Sequence, residues 1–279
     1  MLGRDLVKSI KREFRVVPLP RESCDITDTR EVVEVFKHYM PWVVIHAASF
    51  TDVDGCQKNS KKAYAVNAQG TYAIAKAAKL TNAIVFYISS DYVFSGKKHS
   101  PYRETDKGYP ISVYGKTKYK GEKYITRLLK KYVIIRTSWL FGEGRVNFID
   151  NVLRWAQNKE GFKIVKDKYA NPTYTLDLSK AILNLLEMMN SGTWEESFYG
   201  VYHIVNSGYC SWYEYAKFVL KAAKQRGVKI EPIAMSEMKF LATRPRFSAL
   251  DNSKYVRLTK HPLRNWREAV KEYIECKYN

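Results

Sequence analysis

Long apolar runs are missing from this chain: nothing in its 279 residues approaches the roughly 18 consecutive apolar positions of a membrane-spanning helix. No signal-peptide pattern precedes the first expected helix, so the reading is a soluble protein without a membrane partner. Cysteine is scarce too. Cys24, Cys56, Cys210 and Cys276 are scattered, without C-x-x-C pairs or metal-like histidine spacing. That pattern argues against a metal centre and against a disulfide framework. It fits a reducing, cytoplasmic compartment, with the cysteines as packing residues. Internal repeats and low-complexity linkers are absent as well. Acid is in short supply, 28 Asp and Glu against 47 Lys and Arg, giving a net charge of +19. The basic residues are spread along the chain, as in Lys58–Lys62, Lys116–Lys123 and Lys163–Lys168, and form no recognisable nucleic-acid module. They read as a solvated surface that draws in anionic ligands, not as a nucleic-acid interface.

What is present is a chain with 46% apolar residues, enough for a large core in one or two domains. Its first half alternates strands with helices. Strands are expected over Arg15–Pro18, Val43–His46, Ile84–Ser89 and Val133–Arg136. Helices are expected over Leu2–Lys11, Thr29–His38, Lys61–Leu80, Tyr114–Lys130 and Asn147–Asn158. The strands are short, nearly continuous apolar runs, which parallel strands buried on both faces produce. Three of them open into small or hydroxyl residues: Ala47-Ala48-Ser49-Phe50-Thr51 after His46, Ser89-Ser90-Asp91 after Ile88, and Thr137-Ser138-Trp139 after Arg136. Ligands of open α/β sheets bind beyond the carboxyl ends of strands, so these three ends share one cleft. The fold class expected is α/β, a Rossmann-like doubly wound parallel sheet with a smaller α+β lobe towards the C-terminus.

The chemistry is concentrated in Val113-Tyr-Gly-Lys-Thr-Lys118. Tyr114 and Lys118 stand at i and i+4 on one helix face, so an ammonium lies near a phenol. A neighbouring cation favours phenolate and is expected to lower a pKa that starts near ~10. Ser90, from the end of a strand, completes a hydroxyl–phenol–ammonium relay.

The blocks His46-Ala-Ala-Ser-Phe-Thr-Asp-Val-Asp54, Val66-Asn67-Ala68, Ser89-Ser-Asp-Tyr-Val-Phe94, Pro101-Tyr-Arg-Glu-Thr-Asp106, Val113–Lys118 with Gly121-Glu122, and Arg136-Thr-Ser-Trp139 occur in order. Asn171-Pro-Thr173, Gly200-Val-Tyr-His203, Ser211-Trp212 and Arg244-Pro245 follow. This succession, over nearly the whole chain, resembles the dTDP-4-dehydrorhamnose reductase family of extended short-chain dehydrogenases. The resemblance implies NAD(P)H-dependent reduction of the C4 keto group of a dTDP-linked 4-keto-6-deoxy sugar. Tyr114 would be the proton donor, Lys118 its cationic partner on the nicotinamide ribose, and Ser90 the hydroxyl on the reacting oxygen. Asp91, Trp139 and Arg244 would face substrate, with a core aromatic and a structural salt bridge as the alternatives for Trp139 and Arg244. Phe50 and Thr51, after Ala47, Ala48 and Ser49, would line the cofactor cleft together with Ser89. Asn67 either touches ligand or braces the catalytic strand.

The family opens with a strand and a G-x-x-G-x-x-G turn for the pyrophosphate. Met1-Leu2-Gly3 matches only the end of that motif, so the chain reads as starting inside it, without the first strand. Cofactor choice turns on the residues after Arg15–Pro18, where NAD enzymes place an acid. Here Arg21 either pairs with a 2′-phosphate or is an ordinary surface arginine. Asp25-Ile26 matches the family's adenine-contacting pair, although Asp25 also suits a helix entry. NADP is favoured, with NAD tolerated. Residues 1–150 are expected to form the dinucleotide-binding domain, with 174–204 returning to it. The segment 151–279 is expected to form the substrate lobe. Two other roles fit the same segments: a non-catalytic regulatory subunit of methionine adenosyltransferase, and a sister nucleotide-sugar reductase or epimerase. A homodimer is the protein assembly left open.

Overall fold

The structure is a computed structural model and describes residues 1–158 and 160–278. At its centre four parallel strands, β1 (Val43–His46), β2 (Ile84–Ser90), β3 (Tyr132–Thr137) and β5 (Gly200–His203), lie side by side in the order β1-β2-β3-β5. Successive side chains of a strand point to opposite faces. Along β2, Ile84, Phe86 and Ile88 therefore enter one apolar cluster, and Val85 and Tyr87 enter another. The first cluster is closed by α1 (Leu2–Ile10) through Leu2, Leu6 and Ile10, and by α6 (Thr175–Asn190) through Leu178, Ile182 and Leu185. The second is closed by α2 (Thr29–Tyr39), α3 (Gly70–Thr81) and α4 (Val113–Leu128). Helices on both faces of a parallel sheet make it doubly wound, as the apolar runs implied.

The remaining elements build a third cluster around Phe141, Tyr174, Tyr215, Trp266 and Tyr273. It joins α5 (Phe148–Trp155), α7 (Trp212–Ala222) and α8 (Trp266–Tyr278) to the parallel pair β4 (Phe162–Val165) and β6 (Ile230–Ile233). Ser211 caps α7, accepting from the Glu214 N–H while Glu214 accepts from its own, a reciprocal capping box. Contacts distant in sequence tie the ends of the chain to its middle. Asp5 accepts from Thr175, Asn147 donates to Tyr273, Asp54 pairs with Arg244, and Asp91 accepts from Ser248.

Two expectations need correction. Arg15–Pro18 is not a strand. A strand exists only where it finds a ladder, and among the described residues β1 pairs on one side only, with β2. Pro18 and Pro20 also withhold N–H donors. Phe14 and Val16 instead pack loosely on the first cluster. The single helix expected over Lys61–Leu80 is three pieces: Ser60–Tyr64, a π-helical turn over Ala65–Gln69, and α3. The wide turn holds Asn67, and such bulges gather at functional sites. Gly70 follows it where a Cβ would sit 2.7 Å from Ile26 Cδ1, so any side chain there would have to push the Ile26 side chain aside.

Candidate active site

The end of β2 and the start of α4 meet at one point. Ser112 caps α4 by accepting from the Gly115 N–H at 3.1 Å, and a Cβ on Gly115 would lie 2.1 Å from the Tyr92 carbonyl oxygen. Glycine therefore allows the helix to touch the turn that follows Ser90, which brings Tyr114 beside Ser90 and Asp91. One turn further along α4, Lys118 is only 2% exposed, with its Nζ 4.2 Å above the centre of the Tyr87 ring. Tyr114, Lys118 and Ser90 are thus gathered at the carboxyl edge of the sheet.

The electrostatics differ from the expectation drawn from helix spacing. Burial raises the Tyr114 pKa, and the neighbouring Ser90 hydroxyl only partly offsets it. Burial pushes Lys118 down to about 7, against the attraction of Glu122. Desolvation disfavours both charged forms. The phenol consequently keeps its proton at neutral pH, which suits an acid better than a base.

Ser90 has one donor and two acceptor positions. It donates to Asp91 Oδ1 at 3.0 Å and accepts from the Tyr92 N–H at 3.2 Å, leaving one lone pair on the Tyr114 side. Asp91 is 2% exposed and its other oxygen accepts from Ser248 at 2.6 Å. Its pKa is raised by burial and drawn back by Lys168. Behind the strand end, Ser89 donates to Glu122 Oε1 at 2.6 Å, and Arg136 grips Glu122 bidentately at 2.9 and 2.7 Å. Ser89, which the resemblance places against the cofactor, thus spends its hydroxyl proton inward. Asn67, fully buried, accepts from Ser49 and the Phe50 N–H at 2.9 and 2.7 Å and donates to Phe50 O and Thr117 at 3.0 and 3.1 Å. Its amide is used up in bracing the loop after β1 against α4.

Trp139 has φ +39°, a left-handed backbone that a bulky residue adopts at a cost. It stacks on Tyr215 with centroids 6.2 Å apart and leans on Trp212 at 5.9 Å. Arg244 is bidentate on Asp54 at 2.7 and 3.1 Å and lies over Phe240 at 4.0 Å. Arg21 and Asp25 form their own exposed pair at 3.4 Å, without contact to the tyrosine or lysine. Ile26 packs on Gly70. Met1, Leu2 and Gly3 open α1, and a Cβ on Gly3 would meet nothing within 4 Å. Beside them Arg4 pairs with Glu143, and Arg145 donates to Thr51 at 2.9 Å. Ala47 and Ala48 offer small, accessible side chains at the end of β1.

Sequence reasoning missed Lys168, Ser248 and the Glu122–Arg136 pair. Lys168 in particular, read as part of a solvated basic run, is fully buried. No residue pattern near it signalled this, because its partners lie far away in the chain.

A doubly wound parallel sheet with serine, tyrosine and lysine converging on its carboxyl edge defines a short-chain dehydrogenase-type oxidoreductase. A family model described as the RmlD substrate binding domain matches residues 1–278, and the chain belongs to that family. It is 37% identical to the spore coat polysaccharide biosynthesis protein SpsK of Bacillus subtilis, over 98% of this chain and 93% of that one. It is 34% identical to a dTDP-4-dehydrorhamnose reductase of Aggregatibacter actinomycetemcomitans, over 97% and 94% of the two chains. The crystal structure of a dTDP-4-dehydrorhamnose reductase from Bacillus anthracis in complex with NADP superposes with a TM-score of 0.91 at 33% identity, over 99% of this chain and 95% of that one.

Proposed function

We propose that the chain reduces dTDP-4-dehydrorhamnose to dTDP-rhamnose, at the C4 keto group of the sugar, with NADPH as the preferred donor and NADH tolerated. The observation that carries the reading is the convergence of Ser90, Tyr114 and Lys118 at the end of β2, within a family whose members include dTDP-4-dehydrorhamnose reductases. A bound nicotinamide supplies the hydride. Tyr114, held protonated by burial, gives its proton to the developing alkoxide. Ser90 hydrogen-bonds the reacting oxygen, and Lys118 holds the nicotinamide ribose.

The open space at Gly3 and the small residues Ala47 and Ala48 fit a dinucleotide laid across the strand ends. Met1, Leu2 and Gly3 would offer backbone N–H groups to the pyrophosphate. Ala47 to Thr51 and Ser89 would line the cleft, with Asn67 contributing by holding Ser49 and Phe50 in place. Arg21 would meet the 2′-phosphate, and Asp25 and Ile26 the adenine. Asp91 and Trp139 would face the sugar. Arg244 would reach its diphosphate with the N–H groups that Asp54 and Ala242 leave over.

In this reading residues 1–150 with 174–204 form the dinucleotide lobe and 151–279 the substrate lobe; the apolar clusters follow that division only in part, since Tyr255 and Leu263 join the first cluster and Phe141, Ile149 and Tyr174 the third. Four free cysteines support a reducing, cytoplasmic compartment. Among the described residues no helix is long and apolar enough to cross a membrane. A homodimer is the assembly we propose, and sedimentation of the purified protein tests it. The decisive experiment is NADPH oxidation with dTDP-4-dehydrorhamnose. Tyr114→Phe should abolish turnover and leave dinucleotide binding nearly intact, because only the transferred proton is lost. Absence of turnover in the unaltered protein would favour a non-catalytic regulatory role.

A further inference from the structure

Lys168 is the least expected charge in the molecule. It is 0% exposed, and its Nζ donates to the Pro245 carbonyl at 2.9 Å. Three aromatic faces surround it, with ring centres of Tyr92, Trp139 and Trp212 at 5.1, 5.7 and 5.6 Å. An ammonium so enclosed is stabilised by the rings and one carbonyl, but these alone leave its full charge without a counter-ion. Asp91 is a buried acid of the same pocket: one caging ring belongs to its neighbour Tyr92, and Ser248, which donates to Asp91 at 2.6 Å, also reaches the carbonyl of Tyr169 beside Lys168 at 3.4 Å. Burial against the attraction of Asp91 leaves Lys168 pushed down to about 8. Asp91 in turn is the acceptor of the Ser90 proton.

We propose that Lys168 is a positioning residue for the reduction: its caged ammonium is the counter-charge that holds Asp91 as a carboxylate, and the carboxylate sets which way the Ser90 hydroxyl points. An ionised carboxyl has no proton to give, so Ser90 and Ser248 must both donate to it. With its second position taken by the Tyr92 N–H, Ser90 keeps one lone pair, next to the neighbouring Tyr114 phenol. A carboxylate facing a cation is also a weaker base. The Ser90 proton is therefore free to turn to the reacting oxygen as negative charge develops there. If Asp91 were protonated, its single O–H could donate to Ser90 or to Ser248, and the Ser90 hydroxyl would no longer be held in one direction. Ser90, Ser248, Tyr92 and Tyr114 also face Asp91. The next charge, Arg244, acts on Lys168 but is already neutralised by Asp54.

This inference rests on the proposed reduction, and the test separates the two. In the full chain, Lys168→Met should move the Asp91 carboxyl titration, followed by carbon-13 NMR, upward by at least about one unit. The acid limb of kcat should move with it. Activity should fall about tenfold below that limb and recover above it, with the KM for NADPH within about twofold of the unaltered value. Lys168→Arg, which keeps the charge, should restore the limb. An unmoved Asp91 titration, or a loss of equal size at every pH that Lys168→Arg does not repair, overturns the proposal. If Lys168→Met does not fold, Asp91→Asn asks the same question from the other side. The Lys168 ammonium, now without its carboxylate, must lose its proton at least about one unit lower, and an unchanged titration overturns the pairing. Both titrations need no substrate. Failure of the unaltered protein to reduce the sugar would therefore sink the proposed function and leave the pairing to be judged by NMR.

Discussion

Truncating Asn67 should destabilise the protein strongly. The side chain is fully buried and makes four hydrogen bonds, two as acceptor and two as donor. A net hydrogen bond contributes about 1 kcal/mol, and a buried partner left unpaired costs more. In Asn67→Ala the Phe50 N–H, the Phe50 carbonyl and the Thr117 hydroxyl all lose a partner. Thr117 still donates to the Tyr114 carbonyl at 2.8 Å, and the Phe50 end lies close enough to the surface for water to enter. The expected cost is therefore about 3 kcal/mol, a large fraction of the ~5–15 kcal/mol that holds a typical domain together. Urea unfolding with linear extrapolation measures it. Thr117→Val is the control: it removes one of the four bonds together with the Thr117 donation to the Tyr114 carbonyl, and should cost about 2 kcal/mol. Dinucleotide affinity should fall in Asn67→Ala and hold in Thr117→Val, since only the first frees the loop after β1. A cost for Asn67→Ala no larger than that of Thr117→Val would refute the bracing role.

Acidification should unfold the protein in two stages. Burial holds His46 and His203 at about 3, each helped by a nearby cation, Lys118 and Arg136 respectively. The unfolded chain takes up these two protons near ~6.5 and the native state does not, so stability is present above that value and lost as pH falls towards 3, by about 1 kcal/mol per histidine between roughly pH 7 and 5.5. Carboxylates held low, such as Asp54 by Arg244, add their loss only below about pH 4. Calorimetric melting should show the earlier stage first, and a flat melting temperature from roughly pH 7 to 5 would contradict the buried neutral imidazoles. Arg21→Ala should weaken NADPH about tenfold or more and NADH hardly at all, by titration calorimetry. Equal loss for both, or none for either, removes Arg21 from the 2′-phosphate.

The sheet was legible because its strands are buried on both faces: Ala83-Ile-Val-Phe-Tyr-Ile-Ser89 needs no partner in view to be read as a parallel strand. The site was legible where local spacing encodes it, as with Tyr114 and Lys118 on one helix face. It failed where partners are distant. Lys168 sits among lysines that do face water, and only Asp91 and Pro245, 77 residues on, explain its burial. Arg15–Pro18 has a strand's composition, but a ladder is a property of two segments. The sign of the Tyr114 shift depended on how deeply the cleft is buried, which helix spacing does not report. The left-handed backbone of Trp139 was equally silent, since nothing in the residue type favours it.

The contacts that bind early residues to late ones have a consequence during synthesis. Asp54 waits for Arg244, 190 residues later, and Asp91 waits for Ser248, 157 residues later. At about 5–20 residues per second, the first of these waits lasts roughly ten to forty seconds on the ribosome. The end of β2 is made well before the segment that closes over it: Asp91 precedes Lys168 by 77 residues and Ser248 by 157. A cleft assembled from both ends of a chain cannot be finished while the chain is still being made. A nascent polypeptide of this protein therefore displays its future cleft, and Phe141, Tyr174 and Tyr215 before Trp266 and Tyr273 join them, to whatever chaperone or neighbouring chain is near. Slower translation prolongs that exposure, so a shortage of charged tRNA should be felt as aggregation before it is felt as lost yield.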